Sequence, residues 1–238
     1  MRALRRLLWA WWTVVRDPRR IRGGEFPFGF MLAVSFYLGF LYNTFHFFLY
    51  PGYIKEEFHA GLAFWLHSLY GGTSGLAGFL MAGVGGHLGL RLLRKRISYQ
   101  RWEALLFSLG FIALLPVLLG ALFILVGFTG PTGKVVFWSI PLFPKRLASC
   151  VVITLVLGSL LFLRLFRSLG LGVKGLAVMG LTVPGFYAIL EAGFRTVERT
   201  SIQLGAVSLA AQYLAGSLWA LLQAGIALAL RSRLKGKP

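Results

Sequence analysis

Six apolar stretches, residues 26–48, 61–90, 104–127, 147–163, 175–192 and 204–230, dominate the pattern of the chain. A bilayer core about 30 Å thick takes roughly 20 apolar residues of helix, so each stretch predicts a membrane-crossing helix. The fourth is the shortest, near the lower limit of about 17 residues. The second and sixth leave room for tilt or interfacial turns. Ahead of the first, Leu4, Leu7, Leu8, Trp11, Trp12 and Val15 recur at three- and four-residue steps, while Arg2, Arg5, Arg6, Thr13 and Arg16 take the other faces. That period predicts an amphipathic helix. It is too short to span and has the arginine-and-tryptophan makeup of a helix lying in the interface. Pro18 disfavours helix at the residue before it, so this helix ends near Asp17. The segment 134–144 is apolar but broken by Pro141 and Pro144. It predicts an interfacial stretch with Trp138 at headgroup level.

Composition sharpens this picture. Of 238 residues, 57% are hydrophobic and 13% charged, about half the charged share of roughly 25% in soluble domains. With a mean hydropathy of +0.74, a soluble globular enzyme and a disordered chain are both excluded. The net charge of +18 would ordinarily raise nucleic acid as a partner, but the bases are sorted. The segments before the first stretch, between the second and third, between the fourth and fifth, and after the sixth hold nineteen of the 25 lysines and arginines. The alternate segments hold Lys55, Lys134, Lys145, Arg146, Arg195 and Arg199. This alternation follows the positive-inside rule for six spans with both termini cytoplasmic. It removes nucleic acid as the reason for the charge.

The chain therefore reads as all-α, a polytopic integral membrane helical bundle. Residues 1–22 form a cytoplasmic amphipathic helix and basic linker, 23–230 the six-helix domain and 231–238 a basic tail. At the start of the chain, Asp17, Pro18, Arg19 and Arg20 stand where the small residues of a signal cleavage site would be, so no cleavable signal is expected. In the amino-terminal helix, Arg2, Arg5, Arg6, Trp11 and Trp12 are candidates for the lipid interface. The lone Cys150 forms neither an intrachain disulfide nor a cysteine metal cluster.

Within the spans, Gly71 and Gly75 are four residues apart, as are Gly78, Ala82 and Gly86. Small residues at that spacing let helices approach closely in lipid. The alternative reading takes the Gly71–Gly75 stretch as a helix break that exposes backbone to a ligand or ion. Pro116 and Pro184 fall mid-span and predict kinks, which would suit a small transporter or channel component.

Candidate chemistry is sparse. His46 and His67 could lie at similar depth on the first two spans and hold a haem iron, a metal or a quinone. Gly72-Thr73-Ser74-Gly75 matches the GxSG pattern of rhomboid-type proteases, but no histidine follows His87 to serve as base on a later helix. Gly130-Pro-Thr-Gly-Lys134 departs from the phosphate-binding loop and reads as a turn. Glu191, with Arg195 one turn on, is with His46 and His67 a candidate ligand or ion site, because a carboxyl in a membrane helix marks function by default; the alternative reading is an i, i+4 ion pair near a membrane boundary. No catalytic carboxylate pair is visible, so no enzyme and no cofactor are expected.

Several motifs, in order, resemble the Yip family of small polytopic membrane proteins, including its bacterial members. They are Trp12-Thr-Val-Val-Arg-Asp-Pro18-Arg-Arg before the first span, Trp65-Leu-His67-Ser-Leu-Tyr70-Gly71-Gly72, and Ile97-Ser-Tyr99-Gln-Arg101-Trp-Glu103-Ala-Leu before the span with Pro116. Leu155-Val-Leu-Gly158 and Lys174-Gly-Leu-Ala177 are fainter. The family has five spans, so six imply an added last helix. The resemblance implies a non-catalytic scaffold in a prokaryotic plasma membrane, whose partners are the bilayer and other membrane proteins or further copies of itself.

Overall fold

The computed structural model describes residues 2–49, 62–110, 143–182 and 209–235, and among them every regular element is helical. They are α1 (Arg2–Arg16), a 3-10 turn at Pro18–Arg20, α2 (Phe28–Leu49), α3 (Leu62–Leu92), α4 (Tyr99–Leu109), α5 (Phe143–Ser168), α6 (Val173–Thr182) and α7 (Leu209–Lys235). The all-α expectation is met. In α7 the stretch Ala211–Leu234 is long and apolar enough to cross a membrane, and most of its residues are not buried. Phe28–Thr44 and Val173–Thr182 are shorter apolar helices. Pro116, Pro184, Glu191 and Arg195 lie outside the described residues, as does Trp138.

The structure differs from the sequence reading in several places, among them α4, which starts at Tyr99 rather than 104. The interfacial segment was drawn to residue 144, yet α5 already begins at Phe143. The helix of the last stretch runs on through Lys235, so Arg231 belongs to a helix rather than to a tail. No break occurs at Gly71–Gly75, because α3 is one continuous helix of 31 residues. The helix runs unbroken through these glycines, so its i→i−4 hydrogen bonds leave no backbone group freed for a ligand.

Helix α3 is the centre of the packing, with α2 and α7 along its length and α4 and α6 near its carboxyl end. Its glycines face different neighbours. A Cβ on Gly75 would stand 2.6 Å from the Ser35 carbonyl oxygen, and one on Gly71 2.6 Å from Asn43 Cγ. A Cβ on Gly39 of α2 would strike the backbone of Gly71. Further along, Gly86 leaves room for the Trp102 ring of α4 and Gly89 for Thr182 and Met179 of α6. Gly78 is half-buried, and Ala82 packs on the core formed with α4. Across α7 the same closeness comes from alanines: Ala220, Ala224 and Ala227 pack on Ala77, Leu80, Met81 and Val84.

The larger core sits at the end where α1, α4 and the close of α5 meet. It joins Leu7, Ala10 and Val14 of α1 to Trp102, Leu105 and Leu106 of α4 and to Leu165 and Phe166 of α5. The α1 stripe accordingly splits. Leu7 faces this core and Trp11 and Val15 pack against its rim, whereas Leu4, Leu8 and Trp12 stay exposed, Trp12 at 64%. Asp17 caps the following turn by accepting from Arg19 N at 3.2 Å.

Helices α3 and α5 end alike. Lys95 N bonds Leu90 O at 2.9 Å and Leu171 N bonds Phe166 O at 3.1 Å, the six-to-one closure that needs a left-handed residue. Gly170 supplies it with φ 66°, and Arg94 does so at φ 55° despite its side chain.

Two outcomes follow for stability in detergent. Gly39→Val and Gly75→Val lower it by about 1–3 kcal/mol through backbone collision, whereas Gly225→Ala, with open space at its Cβ, leaves it unchanged or raises it by up to about 1 kcal/mol. Arg94→Gly relieves the left-handed strain and raises it by roughly 1 kcal/mol. Thermal unfolding of the purified variants measures both.

Candidate functional site

A buried charged cluster lies where α4, α7 and the start of α2 meet. Glu103 is on the second turn of α4, a short helix capped by the Ser98 side chain, which accepts from Arg101 N at 3.4 Å. Its carboxylate accepts both from Arg231 Nε at 2.6 Å and from Arg231 Nη2 at 2.9 Å. This two-point geometry matches the guanidinium fork to the carboxylate and is the strongest form of the pair. The Glu103 side chain is 2% exposed and that of Arg231 12%. Phe28 covers the guanidinium, with Arg231 Cζ 3.5 Å from the ring centroid, which adds a cation–π attraction.

Two more polar groups complete the cluster. The Tyr99 ring meets His87 edge-on, with centroids 5.1 Å apart. Tyr99 is buried, beside the Glu103 carboxylate. Burial pushes its phenol above the ordinary tyrosine range, the Glu103 carboxylate adds to the rise and Arg231 opposes it. His87 Nε2 accepts from Arg91 Nε at 3.1 Å, so a neutral ring carries its proton on Nδ1. That nitrogen is buried without a partner among the described residues. Alongside, Trp102 Nε1 donates to Gly83 O at 3.0 Å, which locks α4 onto α3.

A second polar layer joins α2 to α3 towards their far ends. Asn43 Nδ2 donates to His67 O at 3.0 Å, and Thr44 Oγ1 exchanges a hydrogen bond with Ser68 Oγ at 2.9 Å. His67 packs its ring edge-on against Tyr213 of α7, 4.8 Å between centroids. His46 belongs to α2, one turn beyond Asn43, and its side chain lies outside the described part. Among the described residues no group of three His, Cys, Asp or Glu side chains gathers as metal ligands do.

A third feature is the meeting of the basic segments. Arg164 Nη2 donates to Arg16 O at 2.7 Å, Arg19 Nε to Ser168 O at 3.3 Å, Arg101 Nη2 to Arg19 O at 3.1 Å and Lys95 Nζ to Gly170 O at 2.7 Å. The end of α1, the 93–98 turn and the close of α5 are thus tied together by basic side chains on backbone carbonyls. Nearby, Arg5, Arg6, Trp9 and Glu25 line a shallow groove of about 320 Å³.

In the sequence alone Glu103 stands out only as part of the motif at 97–105 and Arg231 only as part of the basic tail. The signal that singles Glu103 out is its place one turn inside an apolar helix, in a chain with seven acids. A carboxyl in that setting needs a partner. No family model, curated protein or solved structure matches the chain.

The pair tests cleanly by a double-mutant cycle. Glu103→Leu strands a buried guanidinium and lowers stability by about 3–5 kcal/mol, and Arg231→Met strands the carboxylate at a similar cost. The double variant Glu103→Leu with Arg231→Met recovers most of that loss, because it buries no charge. Unfolding of the detergent-solubilised proteins gives all corners of the cycle.

Proposed function

We propose that this chain is a multi-pass integral membrane protein with six spans, both termini on the cytoplasmic side and a non-catalytic role as a scaffold or partner-binding membrane subunit. The observation that carries the reading is the meeting of the basic segments. Four stretches far apart in sequence, 2–22, 91–101, 164–174 and 231–235, come to one end of the bundle through the carbonyl bonds and the Glu103–Arg231 pair. They are the segments that the positive-inside rule assigns to the cytoplasm. The outward leucines of α7, among them Leu214, Leu218 and Leu222, suit contact with lipid, as does the exposed Leu4, Leu8 and Trp12 ridge of α1. The resemblance to the Yip family also points to a protein that organises membranes rather than performs chemistry.

A second reading, a small transporter or channel component, is favoured by the buried cluster of His87, Tyr99, Glu103 and Arg231 at the basic end of the bundle, since buried ionisable groups where membrane helices open to one side commonly mark ion pathways. Ion flux into proteoliposomes that is lost in Tyr99→Phe would support it over the scaffold.

Topology is tested with single cysteines in a Cys150→Ala background, labelled in intact cells by a membrane-impermeant maleimide. Lys55→Cys and Arg199→Cys label from outside, and Arg96→Cys and Ser232→Cys label only after permeabilisation. Equal labelling of Lys55→Cys and Arg96→Cys in intact cells contradicts the six-span arrangement.

A further inference from the structure

We infer that the cations gathered at the junction of α1, the 93–98 turn and the close of α5 bind the phosphate of an anionic phospholipid from the surrounding leaflet. This rests on the membrane reading above and gives it a ligand.

Charge balance comes first. Residues 16–22, 94–101 and 164–174 carry eleven bases and one acid, Asp17. That acid is already engaged, accepting from Arg19 N at 3.2 Å and from Arg20 Nε at 3.3 Å. Carbonyl oxygens take one donor each from Arg19, Arg101, Arg164 and Lys95, but they are dipoles and leave the net charge in place. A guanidinium has five donors, so each bonded arginine keeps most of its capacity. Like charges held this close repel, and among the described residues Asp17 is the sole carboxylate in these segments. An outside anion supplies the missing countercharge.

The apolar surface beside the cations says which anion. On α5, Val152, Val156, Leu160 and Leu163 are all exposed, and the line they form leads to Arg164 and Arg167. On α1, the exposed Leu4, Leu8 and Trp12 lead in the same way to Arg16. A ligand that satisfies both surfaces has a phosphate at one end and hydrocarbon at the other. Free phosphate meets only the first requirement, and nucleic acid would leave the leucines and the tryptophan uncovered. Basic sites between helices at the cytoplasmic boundary suit anionic headgroups for this reason.

The test uses the full chain in a neutral detergent, followed by thermal unfolding. Short-chain phosphatidylglycerol raises the melting temperature by roughly 5 °C near saturation, and phosphatidylcholine does not. Arg16→Gln and Arg167→Gln, whose side chains are exposed and make none of the four carbonyl bonds, each weaken the lipid effect about fivefold, near 1 kcal/mol per base. Arg167→Lys keeps it, and so does Arg233→Gln on α7. An equal shift with phosphatidylcholine, an equal shift with inorganic phosphate at the same concentration, displacement of the lipid by a short oligonucleotide, or no shift at all overturns the proposal. Alkaline carbonate extraction separates the two levels. Protein that stays with the membrane but shows no lipid shift sinks the lipid site alone, whereas protein released by carbonate sinks the membrane reading as well.

Discussion

The close approach of helices to α3 is the constraint from which the rest of the arrangement follows. In the proposed membrane setting, apolar side chains gain nothing by leaving lipid for one another, so association rests on contact distance and on polar bonds. Glycine faces allow that contact. At the α2 crossing the backbones of Gly39, Gly71 and Gly75 meet with no side chain between them. Asn43 and Thr44 then reach His67 O and Ser68 at ordinary hydrogen-bond length. Sliding α2 by one residue would bring a Cβ against the Gly71 carbonyl and would separate both polar pairs. Small residues and polar bonds therefore specify the same register.

On the other side of α3 the constraint is looser, and the ion pair takes up the difference. Ala220, Ala224 and Ala227 give α7 a smooth face against Ala77 and Val84, and one alanine fits such a groove about as well as the next. Glu103 and Arg231 do not share that indifference. A shift of α7 by one turn moves the guanidinium about 5.4 Å and leaves a buried carboxylate bare. A buried pair adds little net stability beside an apolar substitute of the same volume, and its best-attested use is to fix register. Phe28 stacked on Arg231 extends that selection to α2.

The legible part of this protein was the part governed by period and length. Helix positions for α2, α3 and α7, the end of α1 near Asp17 and the small-residue row of α3 all follow from spacing along one element. What escaped notice depends on two elements at once. Glu103 and Arg231 are 128 residues apart, and each alone resembles an ordinary flanking charge. Gly39 is unremarkable in a phenylalanine-rich helix until Gly71 lies against it. The stripe on α1 showed the same limit: its period was clear, but only the position of α4 decides that Leu7 turns inward while Trp12 stays out. A break at Gly71–Gly75 was a reasonable expectation from glycine content, yet a helix surrounded on several sides keeps its hydrogen bonds and uses the missing side chains for contact.

The bases that the proposed topology places on one side also have a role in helix chemistry. Helices α1, α3, α5 and α7 all finish at the basic end, so four sets of terminal carbonyls, each the negative pole of its helix, gather in one region. Arg164 and Arg19 bond the last carbonyls of α1 and α5, and Lys95 bonds the turn just beyond. Such bonds satisfy acceptors that the helix itself leaves open. The clustered bases thus close helix ends and join them across the bundle. Neutralising partial charges with whole ones overshoots, however. The same residues that settle the helix termini leave an excess of positive charge at that end of the bundle, with Asp17 as the sole carboxylate within residues 16–22, 94–101 and 164–174.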